Sequence, residues 1–278
     1  MNCVMTTTNP FGLCIQPEQK HQLITDLDIE ALRSLFRKYQ LLVLRGFRRL
    51  SNNENFISFA QGWGEISLWP FGEILELVEH HRPADHIFDC SYVPMHWDGM
   101  YRPFVPEYQM FYCKKAPLQG CGGRTLFTHT PKILAGLNFV ERDQWNDVKA
   151  VYKRKMEFYD SKTVSPLITK HPYHQYDVIR FNEPHDPSRG SLINPIEMRW
   201  EGVDDKLSKQ MLSSIRSKLY DRDYIYAHEW QDGDLVIADN FTLLHGRESF
   251  SKNTPRHIQR IQIESDPPWK NLGLESYQ

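Results

Sequence analysis

VPMHWDGMY, residues 93–101, sets His96 and Asp98 one residue apart, with Trp97 between them and Tyr101 just beyond. A strand suits this pattern. Side chains alternate sides with period two, so both polar groups leave on the same face. Burying an imidazole beside a carboxylate is costly unless something pairs with them. A metal ion is one candidate partner, and an ordinary His–Asp hydrogen bond is another.

The sequence around this motif is rich in short β-prone runs separated by turn residues. They include ILELVE (74–79), YQMFYCKKA (108–116), GGRTLFTHT (122–130), VKAVYKRKMEFY (148–159), YDVIRFNEP (176–184), YIYAHEW (224–230), DLVIAD (234–239) and RHIQRIQIE (256–264). Helical spacing of apolar residues marks DLDIEALRSLFRKYQ (26–40), followed by a buried strand, LLVLRGF (41–47). NNENFISFAQGWG (52–64) reads as a second helix stopped by glycines, and two further helices are predicted over 130–145 and 204–220. Many short strands with interspersed helices predict a mainly β fold with flanking helices, a sandwich or barrel. No linker or repeat divides the 278 residues, so a single domain over 1–278 is expected.

Bulk properties exclude several functions. Net charge is -2, which gives no electrostatic basis for nucleic acid or an anionic membrane as the main partner. No apolar run approaches the roughly 20 residues that span a bilayer, and the N-terminus lacks signal-peptide character. Five scattered cysteines without a Cys-x-x-Cys pair argue against a disulfide framework and a zinc knuckle. A cytoplasmic location is expected. Phosphate-loop, dinucleotide, zinc-protease and serine-hydrolase motifs are missing.

Three further segments gather chemistry. DLVIADNFTLLHGRESF (234–250) carries His245 after an apolar strand and a turn. Two imidazoles and one carboxylate would form the facial arrangement that leaves positions open on Fe(II). TPRHIQRIQIE (254–264) places Arg256 and Arg260 on one face of a strand, where each guanidinium matches a carboxylate. In GCGGRTLFTHT (120–130), Gly122 and Gly123 allow a close approach, and Thr125 offers a hydroxyl.

Taken together, the set His96, Asp98, Thr125, His245 and Arg256 resembles the taurine-dioxygenase-like branch of Fe(II)/2-oxoglutarate oxygenases, over about residues 40–265. The resemblance implies a double-stranded β-helix (jelly-roll) core, with Fe(II) and 2-oxoglutarate as cofactors and O2 as co-substrate. It assigns His96, Asp98 and His245 to the metal, Arg256 and Thr125 to 2-oxoglutarate, and Arg260 to an anionic group of the substrate. LWPFGEILELVE, DHIFDCSYVPMHWDGMY, LINPIE and YAHEW are similar to the PvcB-type oxygenases of isonitrile biosynthesis. That subgroup implies desaturation of tyrosine isonitrile at its α,β bond, with or without decarboxylation. Hydroxylation of another small anionic amino-acid-like or sulfonate substrate stays open. For the substrate slot the candidates are Trp69, Phe71, Trp97 and Tyr101, with Tyr92 and Met100 shaping it; no residue stands out for the phenol. Self-association into a homo-oligomer is also left open.

Overall fold

Asp28 begins the first helix. Its side chain accepts hydrogen bonds from the Glu30 and Ala31 amides (2.9 and 3.3 Å), satisfying donors that a helix start leaves free. The helix runs Ile29–Tyr39 and buries Leu32 and Phe36, four residues apart on one face. It stops at Gln40, whose φ of 56° is left-handed. The chain passes directly into the fully buried strand Leu41–Leu44. A second helix, Asn53–Gln61, is capped by Asn52 and packs its Phe56, Phe59 and Ala60 beside the first. The computed structural model describes residues 2–155 and 160–276.

Two sheets carry the architecture. The larger has seven strands in the order Cys3–Thr7, Leu13–Pro17, Leu41–Leu44, Leu235–Asp239, Tyr108–Lys115, His257–Ile263 and Leu75–Leu77. The smaller has four, Ile225–His228, Thr125–His129, Leu243–Arg247 and Val93–His96, all paired antiparallel. Phe111, Cys113, Val236 and Ile258 of the larger sheet share one buried cluster with Phe127 and Leu243 of the smaller. The opposite face of the larger sheet, with Tyr108, Met110, Tyr112, Ile261 and Ile263, is covered by the two N-terminal helices. Alternating side chains thus divide the strand 257–263 between two cores. This is the jelly-roll arrangement expected, a β-sandwich with helices on its flanks.

Some local expectations change. The predicted helix over 130–145 is two short helices, Thr130–Ala135 and Phe139–Asn146, broken at Gly136. Asn138 restarts the second through a capping box with Glu141. The N-terminal hairpin Cys3–Thr7/Leu13–Pro17 was not anticipated; it enters the large sheet by a parallel pairing with Leu41–Leu44. Of the strand expected over 148–159, Lys149–Lys155 is present and residues 156–159 lie outside the described residues. The last predicted helix runs Asp205–Leu219 and buries Met211, Ile215 and Leu219 at four-residue spacing. Among the described residues, no helix is long and apolar enough to cross a membrane.

Candidate metal centre

The strands Val93–His96 and Leu243–Arg247 run antiparallel with His96 and His245 directly opposite each other. Their ring centroids are 4.2 Å apart. Asp98 follows two residues after His96 and brings its carboxylate between the rings. Its Oδ1 lies 3.6 Å from His96 Nε2, and its Oδ2 lies 3.6 Å from His245 Nε2. The three donor atoms are all within 4.8 Å of one another.

This donor set fits a divalent ion. Separations of 3.6 Å are too long for hydrogen bonds, yet they match ligands that share one ion, which sit roughly 3–3.6 Å apart when each bond is about 2.1 Å. His96 Nδ1 donates to the Pro94 carbonyl (2.8 Å), which leaves the Nε2 lone pair facing Asp98. Burial holds His245 well below the usual imidazole range, so its ring stays neutral. Burial also pushes the Asp98 carboxyl up, but Arg260 and the two imidazoles outweigh it and hold the group well below the usual carboxylate range. Two imidazole nitrogens and one ionised oxygen suit Fe(II).

Side chains that sequence reasoning missed hold Asp98 in place. Asn240 clamps its peptide at both ends: Asn240 Oδ1 accepts from the Asp98 amide and Asn240 Nδ2 donates to the Asp98 carbonyl, each at 2.9 Å. Asn240 is itself fixed by Gln109 (2.7 Å) and by the Pro106 carbonyl (2.8 Å). Gln262 Nε2 donates to Asp98 Oδ2 at 2.6 Å. The sequence showed Asp239-Asn240 as a turn and gave no signal for the clamp.

Arg260 also donates to Asp98 Oδ2, at 2.6 Å. It therefore contacts the carboxylate of the donor set, beyond the substrate role expected for it. Among the described residues its remaining N–H groups have no hydrogen-bond partner.

Arg256 is buried, and its Nε donates to the Gly123 carbonyl (3.1 Å). No carboxylate among the described residues lies within ion-pair distance of it. Burial, then repulsion from Arg247, depresses its pKa well below the usual guanidinium value. A buried charge in this state calls for an anion. Gly123 lets the chain pass close: its φ is 81°, and a Cβ there would sit 3.2 Å from Arg256 Cδ. Two residues on, Thr125 is buried and its Oγ1 accepts from Trp230 Nε1 at 3.0 Å. That bond leaves the hydroxyl proton free to be donated elsewhere. Trp230 ends the YAHEW stretch.

The aromatic candidates divide. Trp69 stacks on Phe71 (5.6 Å) beneath the Arg102 guanidinium, and Phe71 is 45% exposed. Their loop meets the strand of Arg260, through the Ser67 amide to the Gln262 carbonyl. Trp97, Met100 and Tyr101 lie in an interior cluster with Met95, Trp145 and Phe181. Tyr92 bonds His185 through its hydroxyl. None of the six lines the cleft that borders His96, whose walls include His86, Ile87, Pro94, Asn182, His185 and Ile196.

Known proteins resemble this chain over most of its length. The profile of the taurine catabolism dioxygenase TauD, TfdA family matches residues 7–262. A tyrosine isonitrile desaturase of Pseudomonas aeruginosa is 40% identical over 95% of this chain and 91% of its own. The 3-((Z)-2-isocyanoethenyl)-1H-indole synthase of Fischerella ambigua is 36% identical over 91% of this chain and 93% of its own. The solved structure of PvcB, an Fe, alpha-ketoglutarate dependent oxygenase from an isonitrile synthetic pathway, superposes with a TM-score of 0.84 at 35% identity, covering 99% of this chain and 96% of that one.

Proposed function

The chain belongs to the TauD/TfdA family of dioxygenases, and from that premise we propose that it is an Fe(II)- and 2-oxoglutarate-dependent oxygenase that desaturates tyrosine isonitrile. Hydrogen leaves the α,β bond, and the carboxylate is kept or is lost to give a vinyl isonitrile. The observation that carries this reading is the combination of the His96–Asp98–His245 donor set with the buried guanidinium of Arg256, which has no ion-pair partner among the described residues.

His96 Nε2, His245 Nε2 and the Asp98 carboxylate would hold the metal. Bound Fe(II) and 2-oxoglutarate supply, with O2, the oxidising power needed to remove hydrogen from carbon. Arg256 gives the far carboxylate of 2-oxoglutarate its countercharge, and the Thr125 hydroxyl donates to the same group. Both are buried, so this pairing is weakly screened by solvent. Arg260 keeps Asp98 ionised, and its remaining N–H groups receive the carboxylate of the substrate. One contact thus ties the substrate's position to the metal ligand, and selectivity for a single C–H bond requires such positioning. Trp69 and Phe71, next to the Arg260 strand, form the rim over that carboxylate.

Incubating the iron-loaded protein with tyrosine isonitrile and 2-oxoglutarate in air tests the reading. Succinate should form together with a product lighter by two hydrogens, with or without loss of carbon dioxide. A product heavier by one oxygen, or none at all, would contradict it.

A further inference from the structure

The cleft beside His96 contains a hydrogen-bond acceptor that no described residue uses. His86 opens the short helical turn His86–Phe88, is buried, and lines the same cleft as His96. Its Nδ1 lies 2.9 Å from the Ile193 carbonyl and 3.3 Å from Asp85 Oδ1. Both are acceptors, so Nδ1 carries the proton. In a neutral ring Nε2 is then a bare lone pair. No partner for Nε2 exists among the described residues. Burial is the main cause that lowers the pKa of His86 to about 4, so the ring is neutral near pH 7.

The surroundings favour a neutral guest at this point. Asp85 is occupied: it accepts from Arg154, from Asn194 Nδ2 (3.0 Å) and from the Ile87 amide (3.1 Å). The charge of Arg154, which also lines the cleft, is therefore matched. Ile87, Pro94 and Ile196 supply apolar wall. A neutral O–H donor complements the His86 lone pair, whereas an anion would meet it unfavourably.

We infer that the cleft, with a free volume of about 30 Å³, receives the hydroxyl end of the substrate's aromatic ring and that His86 Nε2 accepts the hydrogen bond of that phenol hydroxyl. This rests on the proposed tyrosine-derived substrate and makes His86 the residue that distinguishes it from a phenylalanine-derived one. A ring without the hydroxyl would cover the lone pair and leave it unsatisfied, which disfavours binding.

The test compares tyrosine isonitrile with its phenylalanine-derived counterpart. Affinities are measured by calorimetry on the anaerobic Fe(II)/2-oxoglutarate complex of the parent, His86→Leu and His86→Gln proteins. The ratio of the two affinities within one protein does not depend on how much of it is folded. The parent should favour the hydroxylated compound tenfold or more; His86→Leu should bring the ratio close to one; His86→Gln, which keeps an acceptor, should restore part of it. A ratio unchanged in His86→Leu overturns the inference, as does a parent that does not discriminate. Succinate formation by the parent in air reports separately on the proposed function. Turnover with an unchanged ratio removes only the role of His86. A His86-dependent ratio without turnover removes only the desaturase reading, and failure to bind either compound removes both.

Discussion

His96 and His245 stand opposite each other across an antiparallel ladder, their ring centroids 4.2 Å apart. Main-chain pairing sets their separation, so the two nitrogens are placed before any metal arrives. A local irregularity follows the pair: the ladder shifts register between His245 and Arg247. There Arg247 turns inward and donates to the carbonyls of His86, Ile87, Asp89 and Ser91. One strand thus carries an imidazole of the candidate donor set and anchors the wall of the neighbouring cleft.

Asn240 should control how well Asp98 binds metal. Asn240→Ala frees both ends of the Asp98 peptide while leaving the carboxylate in place. Metal affinity, read by Co(II) titration of the folded protein, should fall by about 10–100-fold, the usual effect of losing a residue that orients a ligand. Unchanged affinity would show that Arg260 and Gln262 suffice.

Arg256 should act on the co-substrate alone. Arg256→Ala removes the buried countercharge, at a cost on the order of 2–5 kcal/mol in 2-oxoglutarate binding. The KM for 2-oxoglutarate should rise at least about 30-fold, with little change in metal affinity. An equal rise in the KM of the isonitrile would place Arg256 at the substrate.

Arg260 should show two effects, because it faces both ways. In Arg260→Ala the KM for the isonitrile substrate should rise far more than that for 2-oxoglutarate. Metal affinity should also change, since Asp98 loses the 2.6 Å contact to its Oδ2. Equal shifts in both KM values would move the guanidinium to the co-substrate.

Glu107 gives stability a pH dependence. Burial, reinforced by the charge of Asp239, raises its carboxyl from the ordinary 4.5 to about 7. Between these values the folded chain keeps a proton that the unfolded chain releases. The stability linked to this group is therefore complete below about pH 4.5 and is lost as pH rises through about 7. Glu107→Gln should remove that slope. Relative to the parent, the variant should gain on the order of 1–3 kcal/mol between pH 5 and pH 8 in urea unfolding. An offset equal at both pH values would contradict the assignment.

The sequence made some of this legible and hid the rest for physical reasons. Four-residue spacing located the helix 205–219, because that signal is local. The expected shared strand face of Arg256 and Arg260 fails, because Arg256 precedes the strand His257–Ile263 and the ladder shifts register between His257 and Ile258. The grouping of His96, Asp98 and His245 came from resemblance, since no local rule links residues nearly 150 positions apart. The Asp98–Arg260, Asp98–Gln262 and Asp98–Asn240 contacts had no signal at all; they depend on how two sheets face each other. Trp97 looked like a lining residue because it separates two candidate ligands, yet alternation turns it inward, where its ring packs 5.0 Å from the Arg180 guanidinium. The break at Gly136 was present in the sequence and was outweighed by the apolar spacing around it.

The most direct test of the account is a crystal structure of the protein grown with Mn(II), in place of oxidisable iron, and 2-oxoglutarate. The account predicts one ion bound by His96 Nε2, the Asp98 carboxylate and His245 Nε2, with the far carboxylate of 2-oxoglutarate on Arg256. An ion held elsewhere, or bound without one of these three side chains, would contradict it.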